Sequence, residues 1–125
     1  MFGYTLIQNK KILQNYEEVL IWGLEKESEV VRAKVDTGAN RTSLDVKIAE
    51  KLGLLDKKNI IEKKMFYSGL GQQERYIVNC TFKIADATIT SEISISDRSH
   101  MTHKMIIGRR DIPNFLVKPS KIQEK

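Results

Sequence analysis

The sequence predicts an all-β domain, a barrel or sandwich of short strands carrying one small helix. Three observations lead there. Short apolar, β-prone segments recur along the chain with turn-forming residues between them. Val31, Ala33 and Val35 alternate with Arg32 and Lys34, the period of a half-buried strand. Helical spacing is confined to one short stretch around residues 46–52. The 125 residues suit a single domain, and 41% hydrophobic with 30% charged residues excludes disorder of the whole chain. Residues 1–18 read as an N-terminal segment, 19–119 as the domain, and 120–125 as a polar tail.

The elements follow in order. Glu18 to Leu24 is an apolar strand, and Glu25-Lys26-Glu27-Ser28 is a polar turn. The alternating strand 31–35 runs straight into Asp36-Thr37-Gly38-Ala39. Asp45 is placed to cap a helix over 46–52, where Ile48, Ala49 and Leu52 share a face and Gly53 suits the stop. Strands return at 60–67, 74–84 and 87–96, and Ser68-Gly69-Leu70-Gly71 forms a glycine-rich hairpin tip. Met105-Ile106-Ile107-Gly108 is a fully apolar strand. Arg109 to Ile112 reads as one helical turn stopped by Pro113, and 115–117 as a last strand.

The stretch richest in chemistry is Asp36-Thr37-Gly38-Ala39. A carboxylate at the end of an apolar strand is unusual, because a charge is rarely buried without a partner. Thr37 adds a hydroxyl, and Gly38 leaves room for a second backbone. Taken alone, the tetrapeptide also fits an ordinary loop closed by an Asx-turn. The later segment Met105-Ile106-Ile107-Gly108-Arg109 adds an apolar strand ending in Gly-Arg.

The order strand, Asp-Thr-Gly-Ala, short helix, glycine-bearing hairpin, apolar-apolar-Gly-Arg resembles the retropepsin-like aspartic proteases. That resemblance implies a closed barrel of short strands with one or two short helices and a flap hairpin. It implies catalysis by Asp36, with Thr37 and Gly38 completing the motif. Ala39, Ser68, Gly69, Leu70 and Gly71 would contact substrate, and Ile107, Gly108 and Arg109 would support the active-site loops. A closer resemblance is to the branch named ATP-dependent zinc proteases, found beside ATP-grasp ligases that modify ribosomal protein. It rests on Ala33 to Ala39, Ser43-Leu44, Ile95 to Met101, Met105 to Ile112 and Phe115 to Val117. Lys118 departs from that branch's Leu-Val-Asp-Pro ending. Asn40 stands where many retroviral proteases carry an acidic partner for the arginine, so the usual intersubunit salt bridge of Arg109 is not expected from that position, and Asp97 and Asp111 are the alternative carboxylates.

Acid–base hydrolysis of this kind uses two carboxylates about 3 Å apart that share one proton. The chain carries one such motif, so a twofold homodimer has to bring two copies of Asp36 together. The resemblance implies the same. Expected partners are a second copy of the chain and a peptide or protein substrate. Two other readings stand beside the peptidase. One is a non-catalytic peptide-binding or regulatory module of the same fold, acting with an ATP-grasp ligase. The other is a basic nucleic-acid-associated barrel.

The charge balance, 21 basic against 16 acidic residues, permits nucleic-acid binding. The lysines are scattered rather than striped, so this reading ranks last. No run approaches the roughly 20 apolar residues of a membrane span. Neither a signal peptide nor a disulfide pair is evident, which places the chain in the cytoplasm. No cofactor is expected, because no phosphate-binding loop of the Gly-x-x-x-x-Gly-Lys type is present. No metal is expected either. His100 and His103, even with Asp97, do not make a zinc-ligand pattern. Cys80 lies between Val78 and Phe82 and reads as a buried, inert thiol.

Overall fold

The computed structural model describes residues 11–69, 71–113 and 115–117. Nine strands are present among them: β1 (Lys11–Leu13), β2 (Tyr16–Trp22), β3 (Ser28–Val35), β4 (Ser43–Asp45), β5 (Ile60–Ser68), β6 (Gly71–Ile84), β7 (Ala87–Ser96), β8 (Met105–Ile107) and β9 (Phe115–Val117). One α-helix, α1 (Val46–Lys51), and two single 3-10 turns, Lys57–Asn59 and Arg109–Asp111, complete the described elements.

The main sheet runs β2-β3-β8-β4-β7-β6-β5, and β6 also pairs with β2. That extra pairing closes six strands into a barrel and removes their free edges. The fold is the retropepsin-like all-β barrel that the sequence resembles. β3 pairs parallel with β8, with Val35 opposite Ile107. β4 pairs antiparallel with β8 and parallel with β7. Among the described residues β5 pairs only with β6, so the hairpin between them projects from the barrel. β1 and β9 form a separate parallel pair.

Alternation explains the interior. Val31, Ala33 and Val35 of β3 point inward and are buried, and the residues between them are exposed. Val78, Cys80, Phe82 and Ile84 fill the barrel from β6 in the same way, and Phe82 and Ile107 have no exposed surface. The helix keeps its expected start. The Asp45 carboxylate accepts the Lys47 N–H at 3.2 Å, and Gly53 follows the last turn at φ +71°.

The β6–β7 hairpin turns on Ala85 and Asp86, both in the left-handed region at φ 48° and 67°. Two residues with positive φ make the turn whose twist matches antiparallel strands. Aspartate visits this region readily, whereas alanine has its Cβ against the following carbonyl. Ala85→Asn is therefore expected to raise stability by about 0.5–1 kcal/mol, read from the urea midpoint.

Candidate active site

β3 ends at Val35, and its ladder to β8 continues for one more residue. The Asp36 N–H donates to the Ile107 carbonyl at 2.9 Å. The chain then turns sharply, with the Ala39 N–H donating to the Asp36 carbonyl at 3.1 Å. Inside that turn Asp36 Oδ1 accepts the Gly38 N–H at 2.9 Å. The carboxylate is thus pinned through one oxygen. Among the described residues its other oxygen has no hydrogen bond, and the side chain is half-buried. Thr37 and Gly38 are exposed, and Ala39 is half-buried.

A second turn lies beneath the first. The Arg109 N–H donates to the Ala39 carbonyl at 2.8 Å, and the Arg110 N–H to the Asn40 carbonyl at 3.0 Å. Arg109 Nη1 donates to the Thr37 carbonyl at 3.1 Å. Ile107 therefore holds the Asp36 loop at its start, and Arg109 holds it at its middle and end.

Deeper still, the Gly108 N–H donates to Thr42 Oγ1 at 3.1 Å, and Thr42 Oγ1 donates to Asp111 Oδ2 at 2.5 Å. Thr42 is fully buried and Asp111 nearly so. One hydroxyl thus satisfies a buried N–H and a buried carboxylate together. Thr42→Val removes it and strands both groups, at an expected cost of about 2–3 kcal/mol. Thr42→Ser keeps the hydroxyl, so comparison of the two in urea denaturation isolates the hydrogen bonds from packing.

The sequence profile of the aspartyl protease family matches residues 23–110, a span containing the Asp36 loop, the hairpin and Gly108-Arg109. The chain belongs to the aspartyl protease family. The folds of three solved proteins are similar to that of this family member. A Legionella pneumophila protein of unknown function has TM-score 0.56 and 19% identity, over 87% of this chain and 93% of the other. The simian foamy virus protease has TM-score 0.55 and 17% identity, over 78% and 91%. The EIAV protease, solved with an inhibitor, has TM-score 0.53 and 20% identity, over 76% and 81%. At these identities the likeness is one of fold. No match is found among curated proteins.

In this aspartyl protease family member, Arg109 bonds within its own chain to the Thr37 carbonyl. Among the described residues it joins no ion pair. Within the chain Asp111 accepts from Thr42 and Asp97 accepts the Ser99 N–H at 2.9 Å. Hydrogen bonds from Ser99 hold the Asp97 carboxyl below its usual range. Gly69 and Gly71 sit at the tip of the β5–β6 hairpin, Gly71 at φ +115°. Ser68 closes β5 opposite Gly71, and Leu70 and Lys118 lie outside the described residues.

The loop joining β7 to β8 forms a compact unit. The Arg98 N–H donates to Asp45 Oδ1 at 2.7 Å, and Arg98 Nε donates to the His103 carbonyl at 2.9 Å. The Lys104 ammonium donates to the carbonyls of Arg98, Ser99 and Met101 at 3.2, 3.1 and 3.4 Å. His103 stacks on Tyr16, ring centroids 4.8 Å apart. Burial first, then the neighbouring Lys34, Arg32 and Arg98, hold its imidazole below the usual histidine range. A cationic setting of this kind disfavours a bound metal. Among the described residues no three histidine, cysteine or carboxylate side chains converge. The zinc in the name of the branch therefore has no fitting ligand set among these residues. Burial, then the Asp111 charge, pushes the Cys80 thiol up to about 12, which keeps it protonated and unreactive. Among the described residues, no helix is long and apolar enough to cross a membrane.

Proposed function

We propose that the chain is a homodimeric aspartic peptidase in which two copies of Asp36 activate one water. The observation that carries this is the Asp36 carboxylate itself: pinned through Oδ1, open at its other oxygen, and set on a loop clamped from below by Gly108 to Arg110. Family membership and the retroviral-protease fold support the same reading. One chain supplies one such carboxylate, so the chemistry requires the second copy.

The ionised Asp36 takes a proton from the shared water as its oxygen attacks the scissile carbonyl. The protonated partner's Asp36 gives its proton to the carbonyl oxygen, producing a gem-diol. The first Asp36, now protonated, then gives its proton to the amide nitrogen while the partner's Asp36 carboxylate takes one from a diol hydroxyl, and the C–N bond breaks to leave an acid, an amine and the starting pair of carboxyls. The exposed Thr37 of each copy would bond across the twofold axis. The β5–β6 hairpin would act as the flap, offering backbone groups to an extended peptide. The Asp97-Arg98-Ser99 and Ile106-Ile107-Gly108-Arg109 stretches support membership of the branch found beside ATP-grasp ligases. Its single, buried cysteine suits the cytoplasm.

The test is a diverse peptide mixture incubated with the protein from about pH 4 to pH 8, with new termini identified by mass spectrometry. Sedimentation would give the oligomeric state of the same samples. The expected result is cleavage whose rate per chain falls on dilution as the dimer dissociates. A dimer that leaves every peptide intact would favour the peptide-binding module, and cleavage by a strict monomer would overturn the shared-carboxylate mechanism.

A further inference from the structure

Two arginines, Arg75 and Arg98, enter no ion pair among the described residues. β6 pairs with β7 through Tyr76 opposite Ile95, so the ladder runs out with Arg75 beside Ser96, two residues before Arg98. Arg75 therefore stands at the root of the projecting hairpin, and Arg98 at the start of the loop that follows β7. Each is held by its Nε. Arg75 Nε donates to Gln73 Oε1 at 2.8 Å, and its guanidinium lies 4.5 Å from the Phe66 ring centroid. Arg98 Nε donates to the His103 carbonyl at 2.9 Å. The terminal nitrogens of both make no hydrogen bond among the described residues.

The nearby carboxylates are committed elsewhere. Glu74 pairs with Lys63, and Asp45 accepts the backbone N–H groups of Lys47 and Arg98. Among the described residues the ion pairs are Arg41–Glu92, Lys51–Glu29 and Lys63–Glu74, and neither arginine enters one. Burial weakens the hold of both guanidinium groups on their protons, and Arg98 is opposed further by the charge of Arg75. Asp45 and Asp36 act on Arg98 in the other direction. Two partly buried cations thus lie near each other at the end of the β6–β7 ladder, and the Asp36 carboxylate is near enough to act on Arg98. Like charges so placed repel, and an incoming anion relieves both the repulsion and the missing partners.

We propose that Arg75 and Arg98 form a subsite for a carboxylate of the bound peptide, close to the bond that Asp36 attacks. This rests on the peptidase reading and adds a substrate class to it, peptides carrying a carboxylate at a fixed distance from the scissile bond. A guanidinium matches a carboxylate in bidentate geometry, and the Nε contacts leave that edge of each arginine open. The carboxylate comes either from an aspartate or glutamate side chain or from the peptide's own C-terminus.

The experiment uses matched peptides taken from the cleavage sites, each made with Glu or Gln at one position and with a free or amidated C-terminus. The acidic member is expected to show kcat/KM about tenfold or more above its neutral twin. Which member of the four carries the advantage separates a side-chain carboxylate from a terminal one. In Arg98→Met the ratio should fall to within about twofold, and likewise in Arg75→Met, which changes the exposed hairpin and spares the loop. Thermal melting checks that both variants fold. A parallel arm measures binding of capped Glu-rich and Gln-rich fluorescent peptides to Asp36→Asn protein, which needs no turnover. Cleavage indifferent to carboxylates overturns the subsite and leaves the peptidase standing. Absent cleavage with arginine-dependent Glu over Gln binding keeps the subsite and removes the peptidase. Equal binding of both peptides, or a preference that survives both substitutions, overturns the subsite.

Discussion

Asp36→Asn is expected to lower peptide turnover by roughly 10³-fold or more while the protein stays folded and dimeric. The fold should survive because the contacts of this side chain do not need its charge. Oδ1 accepts the Gly38 N–H, and an asparagine oxygen accepts it equally well. The backbone bonds of the turn, Asp36 N–H to Ile107 and Ala39 N–H to Asp36, are untouched. The chemistry should not survive. In a homodimer both copies change together, so no carboxylate remains to take the proton from water and none to return it. A melting temperature within a few degrees of the parent, with new peptide termini absent, is the expected pair of results. An active Asp36→Asn protein would sink the mechanism. A wild-type protein that binds peptides without cutting them, and an Asp36→Asn variant of equal affinity, would identify a binding module.

The elements nearest Asp36 were legible because they obey local rules. β3 is written in the alternation of Val31, Ala33 and Val35, and α1 in the Asp45 cap and the Gly53 stop. Expectation and structure part at the short strands. β4 has only Ser43, Leu44 and Asp45, too few for a period to show, and all three are buried. β1 pairs with β9, which lies near the other end of the chain, and nothing local signals such a partner. β2 stops at Trp22 rather than Leu24 because the Gly23 N–H turns back to the Glu27 carbonyl at 2.8 Å.

The candidate site divides in the same way. Asp36 and Gly108-Arg109 stand out as motifs, whereas Thr42 and Asp111 do not. Their hydrogen bond joins residues 69 apart in the chain, and although Asp111 lies in the Met105 to Ile112 stretch, nothing local pairs it with Thr42. In sequence Asp111 reads as a candidate partner for Arg109, and nothing there signals its bond to a buried threonine. Asp45 reads plainly as a helix cap. Its second oxygen, which accepts the Arg98 N–H and so fixes the loop after β7, depends on tertiary packing alone.

Gly108→Ala carries the largest expected structural effect. The reason is contact rather than backbone freedom, since Gly108 has φ −91° and ψ 173°, values open to alanine. A Cβ built there meets the backbone of Arg41, at 2.5 Å from its carbonyl carbon, 2.7 Å from its oxygen and 2.8 Å from its nitrogen. No side chain can rotate away to relieve this, because every obstructing atom is main chain. Arg41 cannot shift freely either. It lies between Asn40, whose carbonyl accepts the Arg110 N–H, and Thr42, whose hydroxyl accepts the Gly108 N–H. Separating the two strands of chain therefore breaks the clamp beneath the Asp36 loop. The expected cost is about 2–4 kcal/mol, read as a lowered urea midpoint with unchanged slope. Turnover should fall further than stability predicts, by about 10²-fold in the fraction still folded, because a displacement near 1 Å is enough to misplace a catalytic carboxylate. A Gly108→Ala protein within about 0.5 kcal/mol of the parent would show that Arg41 yields, and would remove close backbone packing as the reason for glycine here.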